Sequence, residues 1–156
     1  MPCSILVAMD ESKSALKALD YVRKNMDKEA SITLFSVVPD ISGACGMDSP
    51  SLTPLFKENQ SAFCSVEDAK RAKLKETLDA AREKLVRSGF DPKKIIVRIR
   101  KKKSGIARDI LKEASGDYDT LVLGRRGLTA VKEFFFGSVA YKVAHQAKGI
   151  TVIIVD

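Results

Sequence analysis

The chain has 156 residues and a net charge of +7, with 45% hydrophobic and 30% charged residues. This is the length and composition of one soluble domain, and no apolar run approaches the roughly 18 residues of a membrane span. The excess of lysine and arginine favours an anionic partner in general, but no RNP-like aromatic set or zinc-ligand spacing accompanies it. We therefore do not expect nucleic-acid binding.

The N-terminal segment and the cysteines indicate the compartment. No basic segment precedes the first apolar run, so a signal peptide is not expected. The cysteines are odd in number and form no CxxC pair. We therefore expect a reduced, cytoplasmic protein with no membrane partner.

Short apolar runs bounded by turn residues alternate with helical patterns along the chain. The runs predict five strands, at 4–9, 31–38, 95–99, 120–123 and 150–155. Apolar residues recur at helical spacing in four stretches, at 15–26, 66–85, 106–114 and 139–147. This alternation predicts an α/β fold, with a parallel sheet that carries helices on both faces and right-handed crossovers.

The predicted helix starts carry side chains that suit N-caps. Ser12, Ser104, and Ser65 paired with Asp68 occupy these positions. Residues 40–64 show no clear period and contain several Gly, Pro and Ser residues. We interpret them as one long loop excursion of a single domain, 1–156, with room for a short helix near 52–59.

The stretch that follows the fourth predicted strand is the strongest functional signal. The strand ends at Gly124, Gly127 follows, and Gly137-Ser138 opens the last helical pattern. Glycines beyond a strand end allow sharp turns and a close approach of a ligand. A helix start offers free N–H groups and here a hydroxyl to an anion, so the stretch predicts a phosphate cradle. Simple strand-to-helix turns are the competing interpretation. A role of Ser138 as N-cap is compatible with a role as phosphate ligand, because both use its hydroxyl at a helix start.

The spacing Gly124-x2-Gly127-x9-Gly137-Ser138 resembles the nucleotide motif of the universal stress protein (UspA-like) family. The opening ILVAMDES resembles that family's first strand and its terminal Asp-x-Ser. The resemblance covers essentially the whole chain. It implies a single Rossmann-like domain with a five-stranded parallel sheet of order 3-2-1-4-5. Strands one and four then lie side by side at a topological switch point, outside which ligands bind.

The resemblance also implies a ligand, a partner and a set of site residues. The ligand is ATP, and Asp10 lies near its ribose or near a phosphate-bound Mg²⁺. The partner is a second copy of the chain, paired through 150–155. The nucleotide-binding residues that we expect are Ala8, Met9, Asp10, Ser12, Val38, Leu123, Gly124, Arg125, Arg126, Gly127, Gly137, Ser138 and Val139.

Two groups of cations depart from the family's usual pattern. Arg125 and Arg126 stand between the first two glycines, where they could clamp a triphosphate, narrow the site or remain solvated. Lys101 to Lys103 follow the third strand, either as a solvated turn or as extra positive charge near the crevice rim. Residues 134–136, three phenylalanines, are expected in the core, with at most one ring exposed for a partner, and His145 is expected to have a structural or surface role.

The function that we expect is that of an ATP-binding, dimeric regulator or sensor of the stress response. No catalytic residue is assigned, because only Glu133 in the spacer lies beside the cradle. One alternative is a non-catalytic interaction module that binds another adenine nucleotide, such as AMP, or none. A slow adenine-nucleotide hydrolase is the further alternative.

Overall fold

The computed structural model describes residues 2–39, 54–127 and 136–156, with only the backbone described for 54–64. The strands are β1 (Ser4–Ala8), β2 (Ser31–Val38), β3 (Ile95–Lys101), β4 (Thr120–Gly124) and β5 (Thr151–Val155). The helices are α1 (Lys13–Asn25), α2 (Pro54–Arg87), α3 (Ile106–Ala114) and α4 (Ser138–Gln146), and one 3₁₀ turn (Pro92–Lys94) precedes β3.

The strands form one parallel sheet in the order β3-β2-β1-β4-β5, which confirms the predicted fold class and strand order. Strand β1 lies in the centre and pairs with β2 on one side and β4 on the other. At its carboxyl end Ala8 stands between Phe35 and Leu123. The chain segments that leave β1 and β4 therefore start from neighbouring positions.

Alternate side chains of β1 enter two separate cores because both faces of the sheet are covered. Ile5 and Val7 pack with the helices α1 and α2, whereas Leu6 and Ala8 pack with α3 and α4. All four are at least nine-tenths buried. The continuous apolar runs of the sequence are explained by this two-sided burial.

Helix α2 begins eleven residues earlier than the predicted cap at Ser65, so the prediction of a loop through residue 64 is wrong. Proline suits the first position of a helix, and no glycine or proline interrupts the chain between Pro54 and Arg87. The pairing of Ser65 with Asp68 as a cap is also wrong, because both residues lie inside α2. The predicted loop residues 40–53 lie outside the described residues.

The buried stripe of α2 also differs from the prediction at its amino-terminal end. Val66 is 46% exposed, whereas the neighbouring Glu67 is buried and its carboxylate lies 3.2 Å from Lys101 Nζ. Strand β3 runs to Lys101, two residues beyond its predicted end. Lys101 therefore belongs to the strand and holds α2, and it is not a solvated turn residue.

Ser104 does not cap α3, contrary to the prediction. Gly105 is the N-cap, at φ 130°, a left-handed conformation that favours glycine. The Asp109 carboxylate reaches back and accepts the N–H groups of Lys103 (2.8 Å) and Ser104 (3.1 Å). Desolvation would raise the pKa of Asp109, but these N–H donors and that of Gly105 lower it overall.

Two further predictions concern the surface. His145 is exposed, as expected, and its ring lies edge-on to Tyr141 with centroids 4.4 Å apart. Phe136 is 47% exposed, which is the one exposed ring that the prediction allowed, and Phe134 and Phe135 lie outside the described residues. No helix in the described part of the chain has the length and apolar character to cross a membrane.

Candidate functional site

A cavity of about 890 Å³ opens at the carboxyl ends of β1, β2 and β4. This volume lies in the upper part of the range of small-molecule sites. Every residue predicted at the nucleotide lines it: Ala8, Met9, Asp10, Ser12, Val38, Leu123, Gly124, Arg125, Arg126, Gly127, Gly137, Ser138 and Val139. The topology thus brings residues 8–12 to the same crevice as residues 123–127 and 137–139, which are distant in the sequence.

The segment that leaves β1 is held by a chain of hydrogen bonds. Asp10 Oδ1 accepts the N–H of Ser12 at 2.8 Å, and Ser12 Oγ accepts the N–H of Ala15 at 3.2 Å. Ser12 is therefore the N-cap of α1, as predicted. Its hydroxyl also donates to the carbonyl of Arg126 at 3.3 Å. One side chain thus joins the start of α1 to the loop that follows β4.

The glycines were expected to leave room for a ligand. At Gly124 and Gly137, however, neighbouring backbone atoms occupy the space that a side chain would need. A Cβ at Gly124 would lie 2.6 Å from the backbone carbon of Ser14. A Cβ at Gly137 would lie 2.8 Å from the carbonyl oxygen of Arg125. None of Gly124, Gly127 and Gly137 has a positive φ. Gly124 and Gly137 are therefore required because a side chain would clash with neighbouring backbone, and not because their backbone conformation needs glycine.

Gly127 differs from the other two glycines because its nearest neighbour is a carboxylate. A Cβ there would lie 3.2 Å from Asp10 Oδ2, with no other heavy atom of the described residues within 4 Å. Asp10 therefore faces Gly127 across the gap between the β1 and β4 ends. The strand order predicted that the segments leaving β1 and β4 face one crevice, and this contact lies between those two segments.

Helix α4 presents its amino terminus to the same crevice. Gly137 is the N-cap, and its own N–H donates to the carbonyl of Arg125 at 2.9 Å. Ser138 is the first helical residue, so the prediction that its hydroxyl caps the helix is wrong. The N–H groups of Ser138, Val139 and Ala140 have no intrahelical acceptor, as is general for a first helical turn. Such groups suit an anion.

The two arginines after Gly124 are partly buried rather than freely solvated. Arg125 Nε lies 3.1 Å from the Asp156 carboxylate, and the backbone N–H of Arg125 donates to Val155 at 2.7 Å. Nε of both Arg125 and Arg126 is buried without a well-aligned acceptor among the described residues. The contact to Asp156 is therefore an ion pair without a properly directed hydrogen bond at Nε.

Several cavity residues were not predicted from the sequence. Glu11 lies in the wall, and its carboxylate is 3.6 Å from Lys73 Nζ. Lys70 of α2 and Lys142 of α4 line the cavity as well. Sequence patterns do not reveal these lysines because they lie on the exposed sides of their helices, and only the packing of α2 and α4 brings them to the crevice.

The described residues contain no group of three or more His, Cys, Asp or Glu side chains placed to hold a metal ion. Asp10 and Glu11 are the carboxylates that line the cavity within the described ranges. Mg²⁺ is commonly held by one or two carboxylates together with substrate phosphates. Asp10 therefore fits a metal ion that arrives with a phosphorylated ligand.

Comparison with known proteins gives the family. The model of the universal stress protein family matches residues 4–156. The chain belongs to the universal stress protein family. A search of characterised proteins by sequence finds no match at the threshold used.

Three solved universal stress protein structures match the fold over nearly the whole of both chains. The UspA structure from Lactobacillus plantarum is 23% identical, with a TM-score of 0.72 over 99% of this chain and 97% of that one. A universal stress protein in complex with cAMP is 20% identical, with a TM-score of 0.60 over 99% and 97%. One from Archaeoglobus fulgidus in complex with dAMP is 18% identical, with a TM-score of 0.59 over 100% and 98%.

Proposed function

We propose that this universal stress protein binds ATP in the cavity at the β1 and β4 ends and acts as a dimeric regulator or sensor of the stress response. The observation that carries the proposal is the meeting of Asp10, Gly127 and the free amino terminus of α4 in one crevice. Two structures of similar fold contain cAMP and dAMP, which supports an adenine nucleotide as the ligand.

The cavity has the parts that a nucleotide needs. Apolar side chains at the ends of β2 and β4, such as Val38 and Leu123, suit a base. The N–H groups of Ser138 to Ala140, which have no acceptor within α4, suit phosphate oxygens. Arg126 and Lys142 add positive charge on that side. Mg²⁺, held by Asp10 and by the phosphates, would offset the charge of the triphosphate.

Binding rather than turnover is the activity that the wall supports. Hydrolysis needs a base within hydrogen-bond reach of a water molecule. Glu11 is paired with Lys73, and Asp10 already accepts the N–H of Ser12. Glu133, the earlier candidate beside the cradle, lies outside the described residues. We therefore propose slow hydrolysis at most.

The decisive experiment is isothermal titration of ATP, AMP and cAMP, with Mg²⁺, into nucleotide-stripped protein. Ser138→Pro removes one phosphate-facing N–H at a position where proline is tolerated, and Gly137 already has the extended conformation (φ −67°, ψ 149°) that precedes proline. A hydrogen bond to a charged group contributes about 1.5–3 kcal/mol, so the ATP dissociation constant should rise by about 10- to 150-fold.

Ser138→Ala is the matched control, since it removes only the hydroxyl. Unfolding midpoints measured for both variants would show that α4 is intact. Absence of heat at millimolar ATP would refute nucleotide binding. Equal affinities for ATP and AMP would favour the monophosphate alternative, and ADP release that Asp10→Ala abolishes would favour the hydrolase.

The dimer is proposed from the edge strand β5. Its residues Val152 to Val155 are only partly buried, and β5 pairs with β4 on one side within the described part of the chain. An apolar edge of this kind favours pairing with another strand. Sedimentation equilibrium should show dimers at micromolar concentration, and a monomer throughout that range would contradict this part of the proposal.

A further inference from the structure

The net positive charge of the chain is concentrated around one strand, β3. Residues 92–108 contain eight of the 27 lysines and arginines and no aspartate or glutamate, so the rest of the chain, with 19 cations and 20 anions, is nearly neutral. We propose that the outer edge of β3 binds an extended peptide segment of a partner protein, in which acidic and apolar residues alternate. No residue of β3 lines the nucleotide cavity, so this inference goes beyond the proposed function and does not depend on it.

The backbone of β3 presents hydrogen-bonding groups along its outer edge. β3 is the last strand of the sheet, and β2 is the strand that pairs with it in the described part of the chain. The N–H of Lys102 donates to the carbonyl of Val38 at 2.8 Å, which identifies the even-numbered residues as those that bond β2. Because backbone groups alternate in direction along a strand, Val97 and Ile99 direct theirs away from β2. Such an edge is a template for an added strand.

The side chains of β3 differ between its two faces. Val97 and Ile99 are apolar and pack, partly exposed, against the core that contains α1 and α2. On the other face, Arg98 and Arg100 contact Glu113 of α3. A strand added beside β3 would place its residues alternately next to apolar side chains and next to arginines. Apolar pairs and pairs of opposite charge both stabilise neighbouring strands, so the complementary peptide alternates apolar and acidic residues.

The two arginines are held in position and keep a net positive charge. Both pair with the carboxylate of Glu113, whose side chain is only 10% exposed. The hydroxyl of Tyr118 donates to the same carboxylate at 3.1 Å. One carboxylate balances one of the two positive charges, and each guanidinium has five N–H donors. The pair can therefore also bind a carboxylate of a partner.

A groove leaves room for partner side chains on the α3 face of β3. It has a volume of about 500 Å³, and its lining includes Thr33, Ile96, Arg98 and Tyr118. Ile96 is 50% exposed although it lies within a strand. A peptide side chain in this groove would cover Ile96 and remain close to Arg98.

The charge of the edge favours one class of occupant. If two copies of the chain paired through β3, the cations of both would meet, and like charges oppose such pairing. A nucleic acid would use the positive charge but not the outward backbone groups or the apolar side chains of Val97 and Ile99. An acidic and apolar strand uses all three features.

The probe is a fluorescein-labelled peptide of alternating glutamate and valine, with glutamate at both ends and the seven-residue length of β3. Its matched control is the same peptide N-methylated at every residue, which keeps the side chains and loses the N–H donors. In fluorescence anisotropy titrations the probe should bind at least about tenfold more tightly than the control, because several backbone hydrogen bonds are lost together. In NMR spectra the amides of Val97 and Ile99 should become protected from hydrogen exchange when the probe binds.

A proline variant tests the backbone contact. Val97→Pro removes one outward N–H and leaves the bonds to β2 in place, and proline is tolerated at such edge positions. Val97→Ala is the matched control, since it shortens the side chain and keeps the N–H. The proline variant should bind the probe about 2- to 12-fold more weakly than the alanine variant. Urea midpoints of both would show that the sheet is intact.

A charge variant provides a second test that leaves the backbone unchanged. Arg100→Gln should weaken binding of the probe by about 2- to 5-fold. Lys17→Gln makes the same change of charge at an exposed position on α1, which contacts β4 and β5, and should leave binding unchanged. Equal effects of the two variants would overturn the inference, because the attraction would then come from net charge and not from β3.

The other outcomes are equally decisive. Equal affinity for the N-methylated peptide would overturn strand addition. A single-stranded oligonucleotide that binds more tightly than the probe and displaces it would assign the surface to nucleic acid and overturn the inference. No binding of the probe would also overturn it, and the cations would then serve to keep the edge from pairing. Because β3 does not line the cavity, Arg100→Gln should keep its ATP affinity, and a failure of ATP binding would overturn the proposed function alone.

Discussion

Replacing Gly124 by alanine should destabilise the fold strongly, although its backbone conformation accepts alanine. In the absence of a clash, Gly→Ala stabilises by about 0.4–1 kcal/mol through the unfolded chain. Here the new Cβ would lie 2.6 Å from the carbon and Cβ of Ser14 and 2.7 Å from its carbonyl oxygen. Favourable carbon contacts lie at about 3.5–4.0 Å, so α1 or β4 must move by about 1 Å.

Neither element moves easily, since β4 lies between two paired strands and α1 is held by the Ser12 cap. Overpacking costs about 1–3 kcal/mol, and we expect the upper end of that range for Gly124→Ala. For a domain of this size, 3 kcal/mol corresponds to roughly 6–12 °C in Tm. Urea unfolding followed by circular dichroism measures the change directly.

Gly127→Ala is the matched control, because among the described residues its Cβ meets only the Asp10 carboxylate at 3.2 Å, and that side chain needs to shift by only a few tenths of an ångström. Its free energy of unfolding should stay within about 1 kcal/mol of the parent protein. Equal stability of the two variants would refute the argument that Gly124 is required by the packing of α1.

Three other changes test other parts of the structure. Asp109→Ala removes the acceptor of the Lys103 and Ser104 N–H groups and should cost about 1 kcal/mol near neutral pH. Because folding lowers the pKa of Asp109, the stabilisation that its carboxylate provides is present above its unfolded pKa and is lost as pH falls through its folded pKa. The urea midpoints of the variant and the parent protein should therefore converge in acid. Glu113→Gln leaves Arg98 and Arg100 without their shared carboxylate and should lower the free energy of unfolding by about 1–3 kcal/mol. An unchanged urea midpoint would count against a stabilising role for these two ion pairs. Ser12→Ala should cost about 1 kcal/mol through the lost cap, which thermal unfolding would detect.

The sheet could be predicted from the sequence because both of its faces are covered. Continuous apolar runs such as those of β1 and β2 are the direct consequence, and their bounds were correct to within a residue. The order of the strands came from the family resemblance and not from the pattern. Local sequence does not determine which strand lies beside β1.

The errors occur where tertiary contacts override local signals. Ser65 and Ser104 have the side chains of N-caps, but a proline upstream starts α2 and the Asp109 carboxylate organises the start of α3. Glu67 is buried where an apolar stripe was expected, because Lys101 supplies its partner across the fold. A contact between residues this far apart in the chain produces no periodic pattern in the sequence from which it could be predicted.

The three glycines of the motif line the cavity, but close packing of the protein explains why glycine is needed at Gly124 and Gly137. Gly124 brings the loop after β4 against the first turn of α1, and Gly137 brings the start of α4 against the carbonyl of Arg125. Close packing of this junction places Ser138 and Val139, whose N–H groups have no acceptor within α4, in the wall of the crevice. The spacing of the glycines is therefore evidence first for the junction, and for an anion site only through those N–H groups. Ser138→Pro changes the N–H groups and leaves the junction intact, so it distinguishes the two roles of a motif that the sequence presents as one.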